Sequence, residues 1–184
     1  MAIIERSTTI RLPAAQVFSY VADVTRHPEW AGHKLEVRSG SSGAVQVGSK
    51  FETVGHQFGE QPGSVTVTEL VPDRKIVYES DGPVGHFRHQ FLVDDEGGGS
   101  VRLTKTMEPL KISSLPLKLL SPLVTAFIAP RGLDGDLARI KAKLEGGAPA
   151  PAMEAETPAA APPEPSAEAP AAAEEGEERP PEGA

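Results

Sequence analysis

The sequence predicts an α+β domain in which a curved antiparallel sheet of six to seven strands wraps around a long C-terminal helix, with two short helices after the first strand. Three observations lead there. Strand-like runs between residues 33 and 109 are separated only by short turn segments, and connections that short join antiparallel neighbours. Apolar residues at helical spacing are confined to a brief stretch near the N-terminus and a longer one from Leu115 to Leu144. A sheet also needs its apolar face covered, and the last helix is the element long enough to do it.

Residues 2–12 open the domain as a strand: Ile4, Thr8, Ile10 and Leu12 share a face, on which Arg6 is the exception. Pro13 suits the first turn of a helix, where its missing N–H has no partner to lose. Val17, Phe18 and Val21 then recur at helical spacing, giving a short amphipathic helix over 13–22. Asp23 ends that helix or caps the next turn, and Pro28 is expected to hold His27 away from helical geometry.

Strands are expected over 33–39, 48–58, 63–71, 75–80, 84–94 and 99–109. Their separators are SGSSG at 39–43, GEQPG at 59–63, Pro72-Asp73, Asp81-Gly82-Pro83 and DDEGGG at 94–99. In the last stretch Leu115, Leu117, Leu120, Val124, Phe127 and Ile128, then Leu133, Leu137, Ile140 and Leu144, fall at helical spacing. Ser121-Pro122 and Pro130-Arg131-Gly132 interrupt this helix, so it is expected to be kinked or broken. Gly146-Gly147 supplies its stop.

Composition divides the chain into a domain over 1–145 and a tail over 146–184. The tail is almost wholly Ala, Pro, Glu and Gly, and such a segment cannot bury enough apolar surface to offset the entropy of ordering, so it is expected to be disordered. It holds nine Glu and one Arg, whereas residues 1–145 hold 17 acidic and 17 basic side chains. A neutral domain without a run of Lys or Arg lacks the electrostatic footprint of a nucleic-acid binder. A protein partner of the acidic tail is conceivable from its charge, but no motif indicates one.

Cysteine is absent, which excludes disulfides and thiolate chemistry. Glu5 and Arg6 interrupt the N-terminus before an apolar run can build, against a secretory signal. The longest apolar stretch, 119–130, falls short of the roughly 20 residues that span a bilayer. A soluble, cytoplasmic protein is the resulting expectation.

The stretch IRLPAAQVFSYVADVTRHPEW resembles the opening of the polyketide cyclase/dehydrase and lipid-transfer superfamily, the START-related helix-grip (SRPBCC-like) proteins. The features that match are the strand, Pro13, Val17-Phe18, Ala22-Asp23 and Pro28-x-Trp30. VGSKF at 47–51, VTELVPDRKIVYES at 67–80 and GGSVRLTKTMEP at 98–109 are similar to later strands of that pattern, and LARIKAKLE at 137–145 to its terminal helix. The resemblance implies a pocket between sheet and C-terminal helix, entered near the second short helix and Trp30. Its members range from ring-closing enzymes to carriers of hydrophobic ligands, so fold does not fix the chemistry.

Three constellations are candidates for function. His27, Glu29 and His33 surround Trp30, the chain's one tryptophan. Their spacing crosses a proline and a glycine and lacks the context of a metal-binding helix, so solvated residues around a buried Trp30 are expected, with no metal and no cofactor. In the run HFRHQF, alternation sets Phe87, His89 and Phe91 against His86, Arg88 and Gln90. If the aromatic side faces inward, His89 is the interior imidazole and Arg88 is solvent-facing. Asp134 and Asp136 are expected to cap the last helical segment.

For SKFETVGHQF neither face is cleanly apolar, and for Thr104 and Thr106 against Leu103, Lys105 and Met107 the inward set is open. No nucleophile elbow, phosphate-binding loop or dinucleotide fingerprint is present.

The expectation is a domain that binds a small hydrophobic or amphipathic molecule, with Phe18, Trp30, Phe51, Tyr78, Phe87, His89, Phe91, Leu120 and Phe127 lining the pocket or its mouth. One rival is a cyclase or dehydratase using His89 or Tyr78 as acid–base. Another is a protein- or membrane-surface module that uses the apolar 119–130 segment as its contact.

Overall fold

The structure is a computed structural model that describes residues 3–40, 43–56, 59–113 and 119–146, apart from the side chains of Ser39, Ser121 and Thr125. Gln57, Phe58, Leu115, Leu117 and the tail over 147–184 lie outside the described residues, and with the tail goes its expected disorder.

Seven strands form one antiparallel sheet: β1 (Ile4–Ile10), β2 (Leu35–Ser39), β3 (Lys50–Gly55), β4 (Gln61–Val71), β5 (Lys75–Gly82), β6 (Gly85–Gly97) and β7 (Ser100–Ile112). Their order is β1-β7-β6-β5-β4-β3-β2, so strands 2 to 7 meander and the first strand closes against the last. The expected strands are present, several of them longer. Pro62 and Gly63 lie within β4, and β6 runs on to Gly97, so the turn chemistry sits inside strand ends. Asp73, with φ of 58°, makes the β4–β5 turn, a left-handed position that Asp tolerates. Register slips at Val67/Glu69, His86/Phe87 and Asp95/Gly97 bend the long strands, as bulges do.

Helix α1 (Ala14–Ala22) follows Pro13, whose carbonyl accepts from the N–H groups of Gln16 and Val17. It buries Val17, Phe18 and Val21. Asp23 ends α1, and its side chain accepts from the Thr25 N–H at 3.0 Å to cap the turn Val24–Arg26. Helix α2 (His27–Trp30) comes next, and here one expectation is corrected: His27 is helical, at φ −51° and ψ −39°. The residue before a proline is biased away from helix rather than barred. With Pro28 in the first turn no intrahelical donor is lost.

At the C-terminal end, α3 (Ser121–Leu123) leads through a π-helical segment, Val124–Ile128, into α4 (Ala129–Gly146). The Ala129 N–H reaches back to the Val124 carbonyl. Pro130 has no N–H and its ring crowds the carbonyl four residues earlier; a widened turn just before it absorbs both defects. The interruption anticipated from Pro130 is therefore a change of helical register.

Leu133, Leu137 and Ile140 of α4 join Ile10, Val17, Val24, Trp30, Phe91, Val101 and Leu103 in the buried core. Arg6, the misfit on the apolar face of β1, pairs with Asp134 of α4 at 3.3 Å. Among the described residues no helix is long and apolar enough to cross a membrane.

Candidate functional site

The register of the sheet assembles the site. Tyr78 of β5 lies opposite His89 of β6, and His89 opposite Met107 of β7, so the three form one row. The next row holds Ile76, Phe91 and Lys105; on the other side Ser80 faces Phe87. Alternation sends all of these to the concave face.

A cavity of roughly 510 Å³ lies over this face. Its floor includes Val65, Tyr78, Phe87, His89, Lys105 and Met107; α2 adds His27 and Trp30, and the C-terminal helix adds Leu133 and Asp136. The opening of strands β3 to β5 contributes Thr53, Gly63 and Ser80.

Four of the nine expected lining residues are on this wall: Trp30, Tyr78, Phe87 and His89. Arg88 faces outward, as alternation implied, and pairs with Glu79 and Glu108. The other five are not on this wall. Phe18, Phe51 and Phe91 belong to the packed core behind the wall, Phe91 being covered edge-on by Trp30 at 5.6 Å. Leu120 and Phe127 are 52% and 54% exposed. The C-terminal segment meets the cavity instead through Ile128, Ala129, Gly132, Leu133 and Asp136.

Two of the wall residues that sequence reasoning missed carry ionisable nitrogen, His27 and Lys105. His27, expected to be solvated, is 4% exposed. Its ring lies 4.6 Å from Trp30 and 4.9 Å from Tyr78, and Tyr78 stacks on His89 at 5.1 Å. Glu29 instead accepts the Tyr20 hydroxyl at 3.1 Å, and His33 is exposed, so the trio does not converge on a point. No cluster of three or more His, Asp or Glu suited to a metal ion occurs among the described residues.

Lys105 is the second omission. It is also 4% exposed, with Nζ 2.6 Å from Asp136 Oδ2 and 4.5 Å from the centre of the Trp30 ring. Asp136 therefore does not cap its helix; it carries a buried ion pair. Its other oxygen holds Arg139 at 2.6 Å, and Arg139 Nε donates to the Trp30 carbonyl at 2.6 Å, tying α2 to α4. The signal available was the inward register of Leu103 and Met107, which flank Lys105.

Burial sets the protonation states. Desolvation, then the Lys105 charge, hold the His89 imidazole down at about 3, and the same two causes with His89 hold His27 well below its ordinary value. Both rings are neutral near pH 7. Burial raises the Tyr78 phenol far above its usual range. Desolvation lowers Lys105, while Asp136 opposes it. His89 Nε2 is hydrogen-bonded with Ser80 Oγ at 3.1 Å, but His89 Nδ1, His27 Nε2 and Trp30 Nε1 are buried with no partner among the described residues.

A sheet gripping a C-terminal helix around a ligand-sized cavity with isolated polar groups defines a helix-grip domain. The family model for polyketide cyclase / dehydrase and lipid transport matches residues 1–145, and the chain belongs to that family. Among curated proteins none matches it in sequence. A START superfamily protein from Mycobacterium smegmatis is 13% identical, with a TM-score of 0.60 over 78% of this chain and 97% of its own. The Zhui aromatase/cyclase from Streptomyces sp. R1128 is 16% identical, with a TM-score of 0.59 over 78% and 93%. Protein CV1439 from Chromobacterium violaceum is 16% identical, at 0.58 over 79% and 99%. At such identities the likeness is one of fold.

Proposed function

We propose that the domain binds a small, largely apolar molecule in the sheet–helix cavity, as a carrier or sequestering protein. The observation that carries this reading is the pairing of an aromatic and aliphatic wall with buried ring nitrogens that have no partner among the described residues. Buried polar groups are normally satisfied, and a bound molecule presenting an oxygen to them supplies what the fold does not. The volume, roughly 510 Å³, falls in the range of drug-sized ligand sites, about 300–1,000 Å³. Affinity then comes from burying apolar surface, at about 25 cal/mol per Å², and orientation from the polar groups.

Protonation favours binding over turnover. Acid–base catalysis is most efficient when a group's pKa lies near the working pH. His89 sits at about 3, His27 is also depressed, and Tyr78 is raised. Each keeps one protonation state at neutral pH, which suits fixed recognition. The cyclase or dehydratase reading draws on the fold shared with an aromatase/cyclase and on the contact of Tyr78 with His89.

Native mass spectrometry of the protein isolated from its source tests the proposal. A consistent non-covalent adduct of a small hydrophobic molecule is expected. A domain that is always empty, or one that converts the recovered molecule and loses that turnover in His89→Ala, overturns the carrier reading.

A further inference from the structure

We propose that the molecule bound in the cavity carries one anionic oxygen, a carboxylate, enolate or phenolate on an apolar body, and that Lys105 takes this oxygen while Asp136 stays with Arg139. The proposal rests on the binding role above and adds the charge of what is bound.

Charge balance is the first ground. Lys105 Nζ holds Asp136 Oδ2 at 2.6 Å, and Arg139 Nη2 holds Oδ1 at 2.6 Å. Two cations thus share one carboxylate, a formal excess of one positive charge beside the cavity. Among the described residues neither cation has a second carboxylate partner. Asp81, the other acid on the cavity wall, is exposed. The neutral state of His27 and His89 adds no further charge. Arg139 is 42% exposed, so water screens part of its charge, whereas the Lys105 side chain, at 5% exposure, depends on protein partners.

The geometry allows exchange. Each oxygen of Asp136 serves one cation, so Lys105 can turn to a ligand oxygen without breaking the Asp136–Arg139 contact. Arg139 is anchored by its bond to the Trp30 carbonyl, and the lysine is a compact charge with three donors on a flexible stem. After the exchange there are two pairs, Lys105 with ligand and Arg139 with Asp136, and no charge is left over. A neutral ligand leaves the excess in place.

Trp30 Nε1, which has no partner among the described residues, is an independent ground. An indole nitrogen only donates, a buried one ordinarily finds an acceptor, and this side chain is 3% exposed on the cavity wall. It belongs to the same ring that lies 4.5 Å from Lys105 Nζ, so one acceptor-rich ligand end suits both.

The test is calorimetric titration of the full chain with 2-naphthoate and with 2-naphthamide, near-isosteres that differ in charge, at neutral pH. The wild type is expected to bind the naphthoate on the order of tenfold or more tighter, as charge-assisted hydrogen bonds outweigh neutral ones. Lys105→Met is expected to abolish that preference. Equal affinities, or a tighter amide, in the wild type overturn the anion inference and leave the binding role standing. A preference that survives in Lys105→Met overturns the assignment to Lys105. Failure of both probes to bind overturns the cavity reading as well. The wild-type comparison decides the charge question even if the variant does not fold.

Discussion

Lys105 and Asp136 come from β7 and α4, 31 residues apart in sequence, and meet with Nζ 2.6 Å from Oδ2 inside the domain. The Lys105 ammonium also lies over the rings of Trp30 and Phe91, at 4.5 and 5.4 Å. A buried pair of this kind is weak evidence for stability, because desolving both charges offsets much of their attraction. Its position on a cavity wall suits the use proposed above, a charge held ready within an apolar site.

The two halves of the pair are not equivalent. Asp136→Asn leaves Lys105 buried without a counter-charge and removes the partner of Arg139 as well, so it is expected to destabilise the fold by about 3–5 kcal/mol. Lys105→Met leaves Asp136 with Arg139 and fills similar volume with an apolar chain, so its cost is expected to be clearly smaller. Urea denaturation of both variants checks the order. An Asp136→Asn protein as stable as Lys105→Met contradicts the pairing.

Much of the fold was legible because its signals are local. Period-two runs and turn residues mark each strand, and the aromatic neighbours Phe87 and Phe91 pointed His89 inward. The site was less legible because it is made by tertiary partners. Leu103 and Met107 hint that Lys105 points inward, but its partner Asp136 arrives from the helix, and nothing in VRLTKTM announces that. His27 was misread because the rule for a residue before proline is a bias, and α2 overrides it. Leu120 and Phe127 show that helical spacing identifies a face without saying whether anything covers it.

Two glycines on the cavity wall are expected to respond in opposite ways to alanine. A Cβ on Gly85 overlaps the Lys111 carbonyl oxygen and comes within 3.1 Å of Ile112 Cα, backbone atoms that cannot step aside. Gly85→Ala is therefore expected to cost about 1–3 kcal/mol or more. Gly132 is helical, and a Cβ there meets nothing within 4 Å, so Gly132→Ala is expected to stabilise by about 0.5–1 kcal/mol. Thermal melts of the two variants should move in opposite directions.

Truncation after Gly146 is expected to leave the melting temperature and ligand affinity unchanged. The family match ends at residue 145, and α4 ends at Gly146. The sequence beyond offers only Thr157 as a β-branched residue and no aromatic one, so it has little to contribute to a core. A fall in either quantity shows that the tail contributes to the domain.

Acid should weaken the fold through His27 and His89. In the unfolded chain His27 and His89 take up protons below about 6.5. In the folded state both pKa values are depressed, His89 to about 3, so the rings stay neutral there. The unfolded state then binds more protons, and stability falls as pH drops below the unfolded value, by about 1.4 kcal/mol per pH unit for each ring. For His89 the loss continues until the pH reaches its folded value of about 3. Urea titrations at a series of pH values between about 5 and 7 isolate this slope, because most carboxylates remain ionised there. His89→Gln should flatten it by the share of one ring. A slope unchanged by that substitution means that His89 is not held neutral in the folded protein, and the cavity would then carry a further positive charge.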